Sequence, residues 1–303
     1  MAKQTLKVGY LPIIDHLILG MAKEKQLGSV EIQLEKKFGW NEVGEALKAA
    51  EIDVAFILAP YAIDIFFSEK NVKLLLLSHR DGSIIVANKA ANVSSYADFK
   101  GKMVLIPFQS SMHHILLHKR LQQEGISVGI NKDVMTEVTA PGQIPMMIEF
   151  DSDGMIAGYI VAEPFGTQVV NKGLGNIVNL SKDITGDHPC CAVVARQEII
   201  EKHPEAIQEL VTSLVECGKE VYSNLEATIK TATEFLGQEE AVVRAILEDS
   251  NRRVSMDKLL PKAEELTFMQ DYLMDTVTTP SLSGKIDVNE FLDLSFATKA
   301  GAV

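Results

Sequence analysis

Residues 191–195 read Cys191-Ala192-Val193-Val194-Ala195, a short apolar run, and the contrast between its two sides decides the fold. Before it, short apolar runs alternate with helical patterns. After it, the pattern is wholly helical. A strand at this point is the natural return crossing of a chain that has left one sheet, built a second and come back. The outward crossing reads at Ser83-Ile84-Ile85-Val86-Ala87, followed by a helical hint at Tyr96–Phe99 and a new strand.

Working outward from these runs, the candidate strands are 7–11, 30–35, 53–58, 72–78, 103–107 and 155–161, with short helices such as 41–50 and 111–123 between them. Strand and helix in alternation predict βα units on a mainly parallel sheet. In the tail, Ile207, Leu210, Val211, Leu214, Val215 and Val221 recur at helical spacing, and Pro204 suits a first helical turn. Asp287 with Glu290 three residues on forms a capping pair before Phe291. The expected class is therefore α/β. One lobe is expected from 1–87 with 194–303, including the C-terminal helices packed on it, and a second from 88–193. Two lobes joined by two crossings make a hinge protein, with a ligand cleft where strand ends and helix N-termini face each other.

The bulk numbers exclude several classes. The 303 residues carry a net charge of -12 and no Lys/Arg cluster, which argues against nucleic acid, since phosphate contacts need basic patches. No apolar run reaches the ~18 residues of a membrane span, so no membrane insertion is expected. Three cysteines form no disulfide framework and no spaced Cys/His zinc set, so Cys190, Cys191 and Cys217 read as buried thiols. The start at Met1 shows no secretory leader: the chain is either cytoplasmic or an extracytoplasmic protein shorn of its leader.

Four segments in order carry a resemblance: Val8-Gly9-Tyr10-Leu11-Pro12; Ile52-Asp53-Val54-Ala55-Phe56-Ile57-Leu58-Ala59-Pro60; Ser111-Met112-His113 with Pro145 and Gly158-Tyr159-Ile160-Val161-Ala162-Glu163-Pro164-Phe165; and His188-Pro189-Cys190-Cys191. Together they resemble the ABC-transporter solute-binding family for nitrate, sulfonate, taurine and bicarbonate import, with its relatives in pyrimidine uptake. The resemblance implies a type II periplasmic-binding-protein-like fold, no catalysis, no cofactor, a small-molecule ligand enclosed between lobes, and an ABC permease as partner. It also implies ligand contacts at Tyr10, Pro12, Ile57, Ala59 and Pro60 on the first lobe, and at Ser110, Ser111, His113, Glu163 and Phe165 on the second. Nitrate-binding relatives carry a tryptophan near Ile57, a histidine near Ser110 and a lysine near Gly186. Without these, an organic solute of sulfonate, carboxylate or heterocycle type fits better than a bare anion. Two alternatives stay open on the same fold: a cytoplasmic ligand sensor, and an enzyme of the thiamine-pyrimidine or menaquinone-pathway type.

Single residues sharpen the expectation. Ser110 or Ser111 reads as the cap of the helix that follows, whose free N–H groups would hold an oxyanion. His114 and His118, four apart, share a helical face as metal ligands do, but the metalloprotease pattern needs a glutamate where Ile115 stands, so no metal is expected. His188 beside Cys190 and Cys191 reads as a cleft-edge binding residue, with a thiol–imidazole nucleophile as the sharper alternative. Trp40, the one tryptophan, reads equally as a stacking platform or as core. Gly173-Leu174-Gly175 lacks the rest of a dinucleotide loop, and no phosphate loop occurs.

Overall fold

The computed structural model describes residues 3–277 and 279–303. Its strands are β1 (Gln4–Tyr10), β2 (Val30–Lys36), β3 (Val54–Leu58), β4 (Val72–Leu77), β5 (Arg80–Asp81), β6 (Ser83–Asn88), β7 (Met103–Ile106), β8 (Met135–Val138), β9 (Ile156–Ala162), β10 (Gly175–Leu180), β11 (Cys191–Arg196) and β12 (Val254–Ser255). The sequence expectation finds each of its strands. It misses β5, β8, β10 and β12, which are partly exposed or only two residues long and leave no apolar run to read.

Two five-stranded sheets form, in the orders β2-β1-β3-β11-β4 and β10-β6-β9-β7-β8. β3 and β9 are buried along their whole length, as interior strands with both faces covered must be. The expected parallel pairings occur within each sheet, β1 with β2 and β3, and β7 with β8 and β9. The sheets are nevertheless mixed. β11 lies antiparallel between β3 and β4, and β6 antiparallel between β10 and β9. Both are the strands that arrive from the other sheet, and the direction of arrival fixes their sense. Strand membership puts Ser83–Asn88 in the second sheet and the run from Cys191 in the first. The crossovers themselves are therefore 78–82 and 181–190, a few residues ahead of the expected boundaries.

The helical tail packs mainly on the first sheet's layer. Helix Leu17–Glu24 lies against Pro204–Glu220 and Leu225–Leu236, and a Cβ on Gly20 would meet the Phe235 ring at 2.6 Å, so only glycine lets these helices approach so closely. The tail also braces the second lobe. Arg253 reaches Glu163, Gln238 bonds Gln168, Tyr272 meets His118, and the Ser281 carbonyl accepts from Ser110. Asp287 caps the helix Val288–Phe291 through the Asn289 N–H at 2.9 Å. Among the described residues, no helix is long and apolar enough to cross a membrane.

Candidate functional site

The two crossovers run side by side. The Ser78 N–H donates to the Cys191 carbonyl and the Asp81 N–H to the His188 carbonyl, each at 3.0 Å, with an antiparallel bridge between Arg80 and Pro189. Beyond β1 the chain makes a tight turn at Ile14–His16, which carries Asp15 to the same place. Gly82, at φ +88°, passes directly against that carboxylate: a Cβ there would lie 2.7 Å from Asp15 Oδ1. The second lobe closes over the turn, with the Ile14 N–H donating to the Glu163 carbonyl at 2.9 Å and the Tyr61 and Phe108 rings 4.6 Å apart.

At this junction polar side chains are sealed from solvent. Asp15, His79, His113, Cys190 and Cys191 are all 0 % exposed. One ligand atom from each of Asp15, His79, Cys190 and Cys191 lies within 4.8 Å of the others. Asp15 Oδ2 and His79 Nε2 pair with each other at 3.1 Å, whereas Asp15 Oδ1, both His113 nitrogens and His188 Nε2 have no hydrogen-bond partner. Buried polar groups are ordinarily satisfied, so such a concentration asks for an explanation.

The electrostatics follow from burial and proximity. Burial alone lowers His79, but the Asp15 carboxylate 3.1 Å away outweighs it and raises the imidazole to about 10. Burial raises Asp15, against the pull of His79. His113 is depressed to about 3 by burial and then by His79 and His188, so its imidazole is neutral. His188 is likewise lowered to about 4 by burial; its Nδ1 lies 2.8 Å from the Gly186 carbonyl and 3.1 Å from Asp81. Cys191 is raised by burial, whereas the neighbouring Cys191 thiol and then His79 bring Cys190 down.

Several residues expected at the site have other partners here. Tyr10 stacks on Phe235 of the tail, with centroids 4.8 Å apart. Trp40 is core, edge-on to His16, whose ring also packs on Phe56. Ile57, Ala59 and Pro60 are buried at the end of β3 and the start of the next helix, and Pro12 is half-buried in the turn after β1. Ser111 caps Met112–Gln123, accepting the His114 N–H at 3.1 Å while its own hydroxyl donates to the Phe108 carbonyl. Ser110 is held by Ser281. Glu163 is bonded by the Thr167 N–H and hydroxyl and by Arg253, at 2.9, 2.8 and 2.6 Å. Phe165 is buried beside Gly142. His114 and His118 have their own partners in the Gln109 carbonyl and Tyr272, and line a separate crevice of 420 Å³. Asp15 and His79 escaped the sequence reading. Neither sits in a motif, and only the fold brings them to the Cys190-Cys191 pair.

The family model described as NMT1-like family matches residues 1–236. The nitrate/nitrite binding protein of Nostoc sp. PCC 7120 is 27% identical over 234 residues, 69% of this chain and 52% of that protein, so the chain spans about half the length of that relative. A ligand-binding component of an ABC-type import system from Staphylococcus aureus, solved with zinc bound, superposes with a TM-score of 0.86 at 23% identity, covering 98% of this chain and 99% of the other. The periplasmic nitrate-binding protein of Synechocystis PCC 6803 superposes at 0.85 with 18% identity, covering 99% and 88%.

Proposed function

The chain belongs to the NMT1-like family, and from that premise we propose that it is the ligand-binding component of an ABC-type importer, working outside the cytoplasm. Its two lobes close on one small solute, and the closed form is what a permease receives. The observation that carries this reading is the junction of the two crossovers. Buried polar groups from the first lobe and the hinge, among them the Asp15–His79 pair, gather there with His113 of the second lobe, whose nitrogens have no hydrogen-bond partner. The relatives' import systems support the same reading.

Closure is a population shift, so the solute has to bind the closed form better than the open one. The groups placed to supply that difference are Asp15, His79, His113, His188, Cys190 and Cys191, of which Asp15 and His79 pair with each other. The hydroxyls of Ser110 and Ser111 and the Glu163 carboxylate are already engaged within the protein.

A thermal-shift panel on ligand-stripped, reduced protein tests the reading. The panel holds nitrate, bicarbonate, taurine, alkyl sulfonates, aminopyrimidines, aromatic carboxylates and divalent metal chlorides. One class is expected to raise the midpoint saturably, since a ligand at 100 times its Kd adds about 2.7 kcal/mol. Folded protein with a flat response to every member would remove the binding-protein reading for these solutes.

A further inference from the structure

We propose that the solute enclosed at the crossover junction is a thiophilic divalent cation of the zinc type, held by Asp15, His79, Cys190 and Cys191. This deepens the binding-protein reading and rests on it.

The first ground is geometry. In a tetrahedral site with metal–sulfur bonds near 2.3 Å and metal–nitrogen or –oxygen bonds near 2.0 Å, ligand atoms lie roughly 3.3–3.8 Å apart. The four candidate atoms already fall within 4.8 Å of one another, so a small contraction around an ion completes the set. Asp15 Oδ2 and His79 Nε2 already pair at 3.1 Å, close to the separation of neighbouring ligands, so an ion would take the place of the proton between them.

The second ground is the donor set. Two thiols, an imidazole and a carboxylate supply sulfur, nitrogen and oxygen, which favours zinc and similar ions over magnesium or calcium.

The third ground is support. His79 is oriented by Ser78 Oγ, 3.0 Å from its Nδ1, which leaves Nε2 towards the cluster; metal-bound imidazoles are commonly held this way at their second nitrogen. The backbone N–H of Ala59 fixes Cys190 through its carbonyl at 2.9 Å, and Ser78 fixes Cys191 likewise at 3.0 Å. The turn, the first crossover and the second crossover each deliver part of the set, so all three converge only in the folded chain.

Size points the same way. The 420 Å³ crevice large enough for an organic solute opens away from the junction, and the 290 Å³ crevice beside His188 is lined by none of the four residues.

The test is titration of metal-stripped, reduced protein with zinc chloride by calorimetry, and with cobalt(II) by absorption. One ion per chain is expected, with a thiolate-to-cobalt charge-transfer band. The double variant Cys190→Ser/Cys191→Ser is expected to lose that band and at least 100-fold in zinc affinity. Should the double variant not fold, Asp15→Asn carries the test: the band persists while affinity falls at least 10-fold. Folded wild-type protein that binds no zinc would overturn the proposal, as would zinc binding that is indifferent to these substitutions. If a member of the organic or anion panel stabilises the protein while zinc does not, the metal assignment falls and the binding-protein reading stands. If nothing stabilises it, both fall.

Discussion

Glu163 sits fully buried beside the site, and its carboxylate is bonded by Thr167 on the helix that follows it and by Arg253 from the tail. It ties the second lobe to the tail. Burial pushes its carboxyl upward, and Arg253 with Thr167 draws it back. Replacing it as Glu163→Gln leaves the Arg253 guanidinium with only Asp249 as a charged partner. Removing one member of a buried pair costs about 3 kcal/mol, so a loss of that order is expected in urea denaturation. An unchanged midpoint would show that the pair contributes nothing. The local part of this neighbourhood was legible: Ser111 as a cap needs only the serine and the helix after it. What was not legible depends on partners far along the chain. Nothing near Tyr10 announces Phe235, nothing near Trp40 distinguishes core from cleft, and Asp15, His79 and Cys190 share no motif.

Elements show the same division between what is local and what is not. An apolar run betrays a strand, and eight of the strands were readable that way. A run does not reveal its direction, however, so the antiparallel insertion of β6 and β11 came only from the topology. Helix Pro204–Glu220 was readable from its periodicity, but its principal tie to the first lobe was not. Glu209 on that helix accepts the N–H groups of Gly28, Ser29 and Val30 and the Ser29 hydroxyl, at 2.6, 2.6, 3.0 and 2.6 Å. Burial tends to raise its carboxyl, but the bonds from Ser29, Gly28 and Val30 outweigh it and hold it below the usual value. A carboxylate depressed in the folded state contributes stability that is complete above its ordinary value of 4.5. That contribution is lost as pH falls through the depressed folded value. Glu209→Gln is therefore expected to cost about 1–2 kcal/mol at neutral pH, in line with hydrogen bonds to a charged group. The gap between the two proteins is expected to close on acidification. A gap that persists unchanged in urea melts at acid pH would contradict the assignment.

At the scale of the whole molecule, two sheets meet across paired crossovers, and the tail spans both lobes. Interlobe ties in the closed form include the Ile14 N–H to the Glu163 carbonyl and the contact of Tyr61 with Phe108. The tail adds ties from Arg253, Gln238, Tyr272 and Ser281 to the second lobe, while His113 and His188 Nε2 at the junction keep buried nitrogens without a hydrogen-bond partner. On the proposed reading a ligand is what favours the closed form, and the lobes are expected to part when it leaves. The most direct test is small-angle X-ray scattering of metal-stripped, reduced protein, before and after one equivalent of zinc chloride and then with each organic or anionic solute of the panel. The account predicts an expanded form that contracts on binding towards the about 19 Å radius of gyration of a compact chain of this length. A stripped protein that already has the closed dimensions, and that no member of the panel changes, would contradict it.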